Sequence, residues 1–248
     1  MFQILMIFVW LAAGLLLRRT VASARAFSRL NRFIIWFPLP ATILLALHAL
    51  HWDPSYWVPV SMAWLVFLAA AVFFAAAGRL RGWSPGVVGA LIMTAGLGNT
   101  SFLGFPLLRA LYGERAIPVG VLTDQPGSFL VLSTLGLVAA SYYSSGRATL
   151  SAVLGRMARF PPMWALAAAV LLRRVPLAPP AVAFLLLGNR TLIPLALISV
   201  GGALSFERAR LGPERSPVVL GLLYKLILAP LAMAFLLVVC LHLRGEAV

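Results

Sequence analysis

A few groups able to do chemistry stand inside long apolar runs of this chain: Asn99-Thr100-Ser101, Asp124 with Gln125, Arg190, and Lys225. Asp124 is the one acid within such a run, since Asp53, Glu114, Glu207, Glu214 and Glu246 fall in connections or the tail. A charge at the centre of a membrane costs roughly 2.5–3.5 kcal/mol on insertion scales, so a residue kept there invites a functional reading. Asp124 could contact substrate or carry a coupling proton, and for the latter it needs burial to strengthen its hold on the proton. Its structural reading is equally concrete: it binds open backbone in a neighbouring span or neutralises Lys225. Arg190, between Asn189 and Thr191, and Lys225, ahead of Pro230, are the internal bases. Either can attract an anion, and Lys225 can instead snorkel to the interface.

The segment Ala95-Gly96-Leu97-Gly98-Asn99-Thr100-Ser101-Phe102-Leu103-Gly104-Phe105-Pro106 places three glycines, three consecutive polar residues and a proline inside one apolar run. Glycine and proline both weaken the helical hydrogen-bond ladder. Backbone groups freed at membrane depth are tolerated where protein or water satisfies them. The composition therefore predicts a broken helix whose half-helix ends face a small polar or charged ligand. The competing reading is a kinked span in which small residues let neighbours pack closely. Enzyme signatures are absent: there is no HExxH, CxxC or GxSxG, no paired carboxylates at catalytic spacing, and nothing that asks for a metal or cofactor.

The elements that must position these residues follow from composition. Of 248 residues, 62% are hydrophobic and 10% charged, with a mean hydropathy of +0.99. Soluble domains lie near 45–50% apolar and about 25% charged, so the chain reads as an all-α integral membrane protein. A span needs roughly 20 apolar residues. Eight segments qualify: 1–17, 33–50, 56–78, 87–111, 117–142, 162–172, 181–204 and 218–241. The sixth is short and is expected to borrow residues beyond Arg173 and Arg174. Leu150, Val153, Leu154, Met157 and Phe160 recur at helical spacing opposite Arg147, Arg156 and Arg159, a pattern that fits either a short helix on the membrane surface or a basic linker.

The formal net charge of +14 would suggest nucleic acid in a soluble protein, but nineteen of the twenty basic residues are arginines set mainly between apolar runs. Topology explains them better. Thirteen lie on one side (Arg18, Arg19, Arg25, Arg29, Arg32, Arg79, Arg81, Arg147, Arg156, Arg159, Arg208, Arg210 and Arg215). Five lie on the other: Arg109, Arg115, Arg173, Arg174 and Arg244. The rule that basic loops stay in the cytoplasm puts both termini outside.

Leu11-Ala12-Ala13-Gly14-Leu15-Leu16-Leu17-Arg18-Arg19 returns as Leu166-Ala167-Ala168-Ala169-Val170-Leu171-Leu172-Arg173-Arg174, seven identities in nine positions, 155 residues later. Asn31-Arg32 before Pro38 and Pro40 is echoed by Asn189-Arg190 before Pro194, at an offset of 158. A unit that starts at the first segment and restarts at the sixth contains five spans, and an odd number inverts the second copy. That is the inverted-repeat plan of secondary transporters. The expected division is a first repeat over 1–143, a cytoplasmic linker over 144–160, and an incomplete second repeat over 161–248.

The sequence resembles the auxin efflux carrier family, whose bacterial members include malonate and other organic-acid permeases. The resemblance rests on Gly14 with Arg18-Arg19, and on Leu30-Asn31-Arg32 with Leu39-Pro40-Ala41. It continues through Asn99 to Pro106 with Leu111-Tyr112-Gly113, Asp124-Gln125, Pro161-Pro162, Pro194 to Leu197 with Gly201-Gly202, and Lys225 with Pro230. It implies ten helices in two inverted five-helix repeats, with helices four and nine broken and crossing at the substrate site. Eight of those ten are expected here. Carried over residue by residue, the resemblance implies substrate contacts at Asn99, Thr100, Ser101, Pro106 and Gln125, with Asp124, Lys225 and Arg190 for coupling or charge. It also implies a small organic anion moved by alternating access, with a proton or the membrane potential as driving force, in a bacterial inner membrane. A homodimer is compatible with it. The alternatives are a non-transporting fragment or structural membrane subunit and, from another class, a membrane-embedded enzyme or sensor.

Overall fold

The computed structural model describes residues 2–20, 23–48, 50, 53–144, 149–204 and 215–240. The described elements are helical: α1 (Phe2–Thr20), α2 (Ala24–His48), α3 (Pro54–Arg81), α4 (Pro85–Tyr112), α5 (Glu114–Tyr143), α6 (Leu150–Ala158), α7 (Pro161–Leu171), α8 (Pro179–Ala203) and α9 (Arg215–Val239). Seven of them, all but α6 and α7, are long and apolar enough to cross a membrane.

Where the eight expected spans fail is α7. It stops at Leu171 after 11 residues, about 16 Å of rise, and Leu172 to Arg174 form turns instead of extending it. Pro176, two residues past Arg174, bars a longer helix, because it lacks an N–H and steers the residue before it away from helix. The segment containing Leu150 to Ala158, for which sequence left a linker open, is helical. Residues Arg147 and Arg208 to Glu214 lie outside the described residues, as do Arg244 and the tail beyond Cys240.

Local chemistry sets the other ends. Ser23 caps α2 by accepting from Ala26 N–H at 3.3 Å, and Ser84 caps α4 ahead of Pro85 by accepting from Val87 N–H at 3.4 Å. Asp53 accepts from Ser55 N–H at 2.7 Å at the start of α3, and hydrogen bonding from the Ser55 side chain and then its backbone holds the carboxyl below the usual carboxylate range. Gly82 closes α3 at φ 64°, the left-handed conformation that glycine adopts without a Cβ clash.

The chain forms two compact units. The first comprises Met1–Trp52, Asn99–Val121 and Met157–Glu207. In it α8 packs along α1 and α2, and α7 packs on the second half of α2. The core holds Ile34, Leu39, Ile43, Leu47, Leu192 and Leu197, all essentially buried. Two glycines bring α1 and α8 to backbone contact: a Cβ at Gly14 would lie 2.0 Å from Ile198 O, and one at Gly201 would lie 2.0 Å from Leu11 O. This is the small-residue packing by which membrane helices approach closely. Two polar bonds tie α2 to α8. Ser199 Oγ donates to Asn31 Oδ1, and Thr42 Oγ1 donates to Asn189 Oδ1 at 3.1 Å.

The second unit comprises Asp53–Gly98, Leu122–Arg156 and Arg208–Val248. Phe67, Phe74, Ile92, Val131 and Tyr224 form its core, and Tyr224 Oη donates to Val66 O at 2.9 Å. Trp64 Nε1 donates to Pro126 O at 3.0 Å, which binds α3 to the middle of α5. Trp64→Phe removes this donor together with part of the indole's packing, so it should cost at least about 1 kcal/mol and lower the thermal midpoint of the detergent-solubilised chain. An unchanged midpoint would show that the bond contributes nothing.

Candidate functional site

The predicted break in α4 is present. Its first half ends at Gly96, Leu97 is extended at φ −119° and ψ 140°, and winding resumes at Thr100. Gly96 is needed where it stands, since a Cβ there would come within 2.9 Å of Ala70 Cβ. On the far side of the break Asn99 organises the new helix start. Its Oδ1 accepts from Phe102 N–H at 3.1 Å, and its own carbonyl accepts from Leu103 and Gly104 N–H at 3.2 and 3.1 Å. The first turns are wide, and Phe105 N–H reaches back to Thr100 O. Pro106 sustains that irregularity, having no N–H to give the carbonyl of Phe102.

An asparagine side chain has one acceptor and two N–H donors. With its oxygen engaged as a cap, what the exposed Asn99 side chain can offer a ligand is its NH2 group, beside N–H groups carrying the positive end of a helix dipole. Thr100 and Ser101, both half-buried, add hydroxyls in the first turn. Chemically this end suits an anion.

Pro106 also lines a cavity of about 190 Å³ within the first unit, together with Gln3, Trp10, Arg109, Arg190 and Pro194. Arg190 is thus brought to the same cavity as one predicted substrate contact. Arg109, counted from sequence among the basic residues of the outer side, lies in the last turns of α4 with its side chain only 17% exposed. Its Nη2 donates to Asn189 Oδ1 at 3.2 Å, and its Nε sits 2.8 Å from Glu114 Oε1, off the line of a hydrogen bond. The available signal was its spacing: Arg109 follows Pro106 by three residues and so shares its helix face.

Asp124, Gln125 and Lys225 belong to the second unit. α5 widens over Thr123–Phe129 around Pro126, and wide turns of this kind recur at functional sites. Asp124 and Gln125 are buried there, and Gln125 Nε2 donates to Asp124 Oδ2 at 2.5 Å. Gln125 Oε1, also buried, has no hydrogen-bond partner among the described residues. The Lys225 ammonium holds the open backbone of α4. Nζ donates to Thr94 O at 2.7 Å and to Leu97 O at 2.8 Å.

A chain with seven membrane-competent helices among its described residues, one of them broken around a capped polar turn, has the build of a multi-pass membrane transport protein. Comparison agrees. The family model described as "Membrane transport protein" matches residues 1–248, and the chain belongs to that family, the auxin efflux carriers. An uncharacterized transporter of Methanothermobacter thermautotrophicus is 29% identical over 212 residues, which cover 84% of this chain and 68% of that protein. An uncharacterized transporter of Methanocaldococcus jannaschii is 27% identical over 139 residues, covering 54% of this chain and 44% of that protein.

Proposed function

We propose that the protein is a secondary carrier of small organic anions, dicarboxylates among them, working by alternating access in the plasma membrane with both termini outside. The observation that supports this most is the start of the second half of α4, where Asn99, Thr100 and Ser101 present donors and a helix-dipole end at a break within a span. Arg109 and Arg190 in the neighbouring cavity supply fixed positive charge for a carboxylate. About 190 Å³ suits a molecule of a few heavy atoms, well under the 300–1,000 Å³ typical of drug-sized ligands. Asp124, with Gln125 against it, is the coupling group in this reading, loading and releasing a proton as the site changes sides.

Paired contacts support the inverted repeat, with units over 1–143 and 161–248 joined by the linker over 144–160. The offset of 158 maps Asn31 onto Asn189, and an offset of 157 maps Thr42 onto Ser199. The bond from Ser199 to Asn31 and that from Thr42 to Asn189 are then mates under one operation. So are the packing of α1 on α8 and of α7 on α2.

The test is uptake of a panel of labelled mono- and dicarboxylates into proteoliposomes, with imposed proton gradients and potentials, by this chain and by the full-length archaeal relatives. Saturable uptake of at least one carboxylate, reduced about tenfold or more by Arg190→Gln, is expected from losing a charge-assisted contact. Uptake of cations or neutral solutes in place of anions would overturn the reading.

A further inference from the structure

The last carbonyls of a helix have no partner within it, and they carry the negative end of its dipole. In the first half of α4 that end lies within the apolar span and beside a cavity, where freed backbone groups still need partners. Thr94 O belongs to the last turn, and Leu97 O is freed because Leu97 itself is extended. Both converge on one point, where Lys225 Nζ sits 2.7 Å from the first and 2.8 Å from the second. The wall around it is otherwise largely apolar. Met62, Val66, Ala229, Met233 and Leu237 line the same cavity of about 450 Å³. Lys225 itself stands near the middle of α9, far enough from either end that a snorkelling side chain has little to reach.

Carbonyl oxygens at an unwound half-helix C-terminus are the donor set with which membrane carriers hold a monovalent cation. We infer that Thr94 O and Leu97 O form such a cation site, filled permanently by the chain's own ammonium, so that no free sodium or potassium ion is needed at the broken end of α4. An ammonium, a compact charge with three donors, is a closer mimic of a dehydrated monovalent cation than arginine's planar fork. The tether makes it always present. This inference does not depend on the anion reading, because it concerns the opposite end of the break and requires no substrate.

The experiment is a thermal melt of the purified chain in sodium, potassium, ammonium and choline chloride at equal ionic strength. Wild type should melt at one temperature in all four salts. Lys225→Ala should melt several degrees lower in choline and regain most of the loss in ammonium or sodium, which can enter the vacated site. Lys225→Met, which keeps the side-chain bulk, should behave like Lys225→Ala and separates loss of charge from loss of packing. A midpoint lowered equally in every salt, or not lowered at all, overturns the inference. Should neither variant be recovered as folded protein, wild type decides: a higher midpoint in sodium than in choline means the carbonyls are open to a metal ion and the inference fails, and equal midpoints support it.

Discussion

Asn99→Asp is expected to fold normally and to carry no anion. The substitution is chosen to separate two jobs that one side chain performs. As a cap, Asn99 gives an oxygen to Phe102 N–H, and aspartate does that as well as asparagine. As the proposed donor, Asn99 would give its NH2 group to the ligand, and aspartate replaces it with a negative charge that repels an anion. Asn99→Ala loses both and should combine a cap loss of about 1 kcal/mol with the transport defect. Losing one hydrogen bond to a charged ligand is worth about 1.5–3 kcal/mol, or roughly ten- to a hundredfold in uptake at low substrate. Tracer uptake in proteoliposomes, alongside a thermal melt, measures the two separately. Wild-type uptake by Asn99→Asp would move the site away from this turn.

The second large effect is on the fold. Gly201→Val should prevent recovery of folded protein, judged by size-exclusion profile after expression. The added Cβ would meet Leu11 O at 2.0 Å, and that obstacle is backbone, so no rotamer change relieves it. α1 and α8 would have to separate along their contact, forfeiting the facing contact at Gly14 as well. Overpacking in cores costs about 1–3 kcal/mol, and a valine against rigid backbone belongs at the upper end or beyond. Gly155→Ala is the matched control. Nothing lies within 4 Å of a Cβ at Gly155, in the middle of α6, so there the change should be neutral or gain up to about 1 kcal/mol in helix propensity. If both substitutions behave alike, close approach is not what Gly201 provides.

How far the sequence could be read depended on whether a feature is local. The break in α4 is local: glycines at 96 and 98, three polar residues and a proline weaken a helix wherever they are placed, and the break falls among them. The widening of α5 is written in Pro126 for the same reason. The number of membrane-competent helices was less legible. Eleven apolar residues before Arg173 and Arg174 look like a span cut short by snorkelling arginines, and Pro176 bars a longer helix instead. The partner of Lys225 could not be read at all. Every residue carries a carbonyl, so no side-chain code distinguishes Thr94 and Leu97 as acceptors, and only the broken helix makes theirs available. The inward turn of Arg109 was not legible, because a count of basic residues along the chain records position relative to apolar runs, not which way a side chain turns. Its bond to Asn189, eighty residues on, is a tertiary fact.

The two bonds between α2 and α8 carry a historical consequence. In the first unit, an asparagine early in one helix meets a hydroxyl late in the other, and the same is true with the helices exchanged. Residue i touching j while j touches i is the mark of an isologous contact, the kind made by two identical subunits about a twofold axis. On the proposed repeat, α2 and α8 began as one helix in two copies of a half-length protein, and the bonds now internal to the chain were once a dimer interface. Such an interface needs only one asparagine and one hydroxyl to be acquired, because symmetry doubles them. On the same proposal, fusion would release each copy to diverge, and Thr42 and Ser199 differ in kind while the two asparagines are the same.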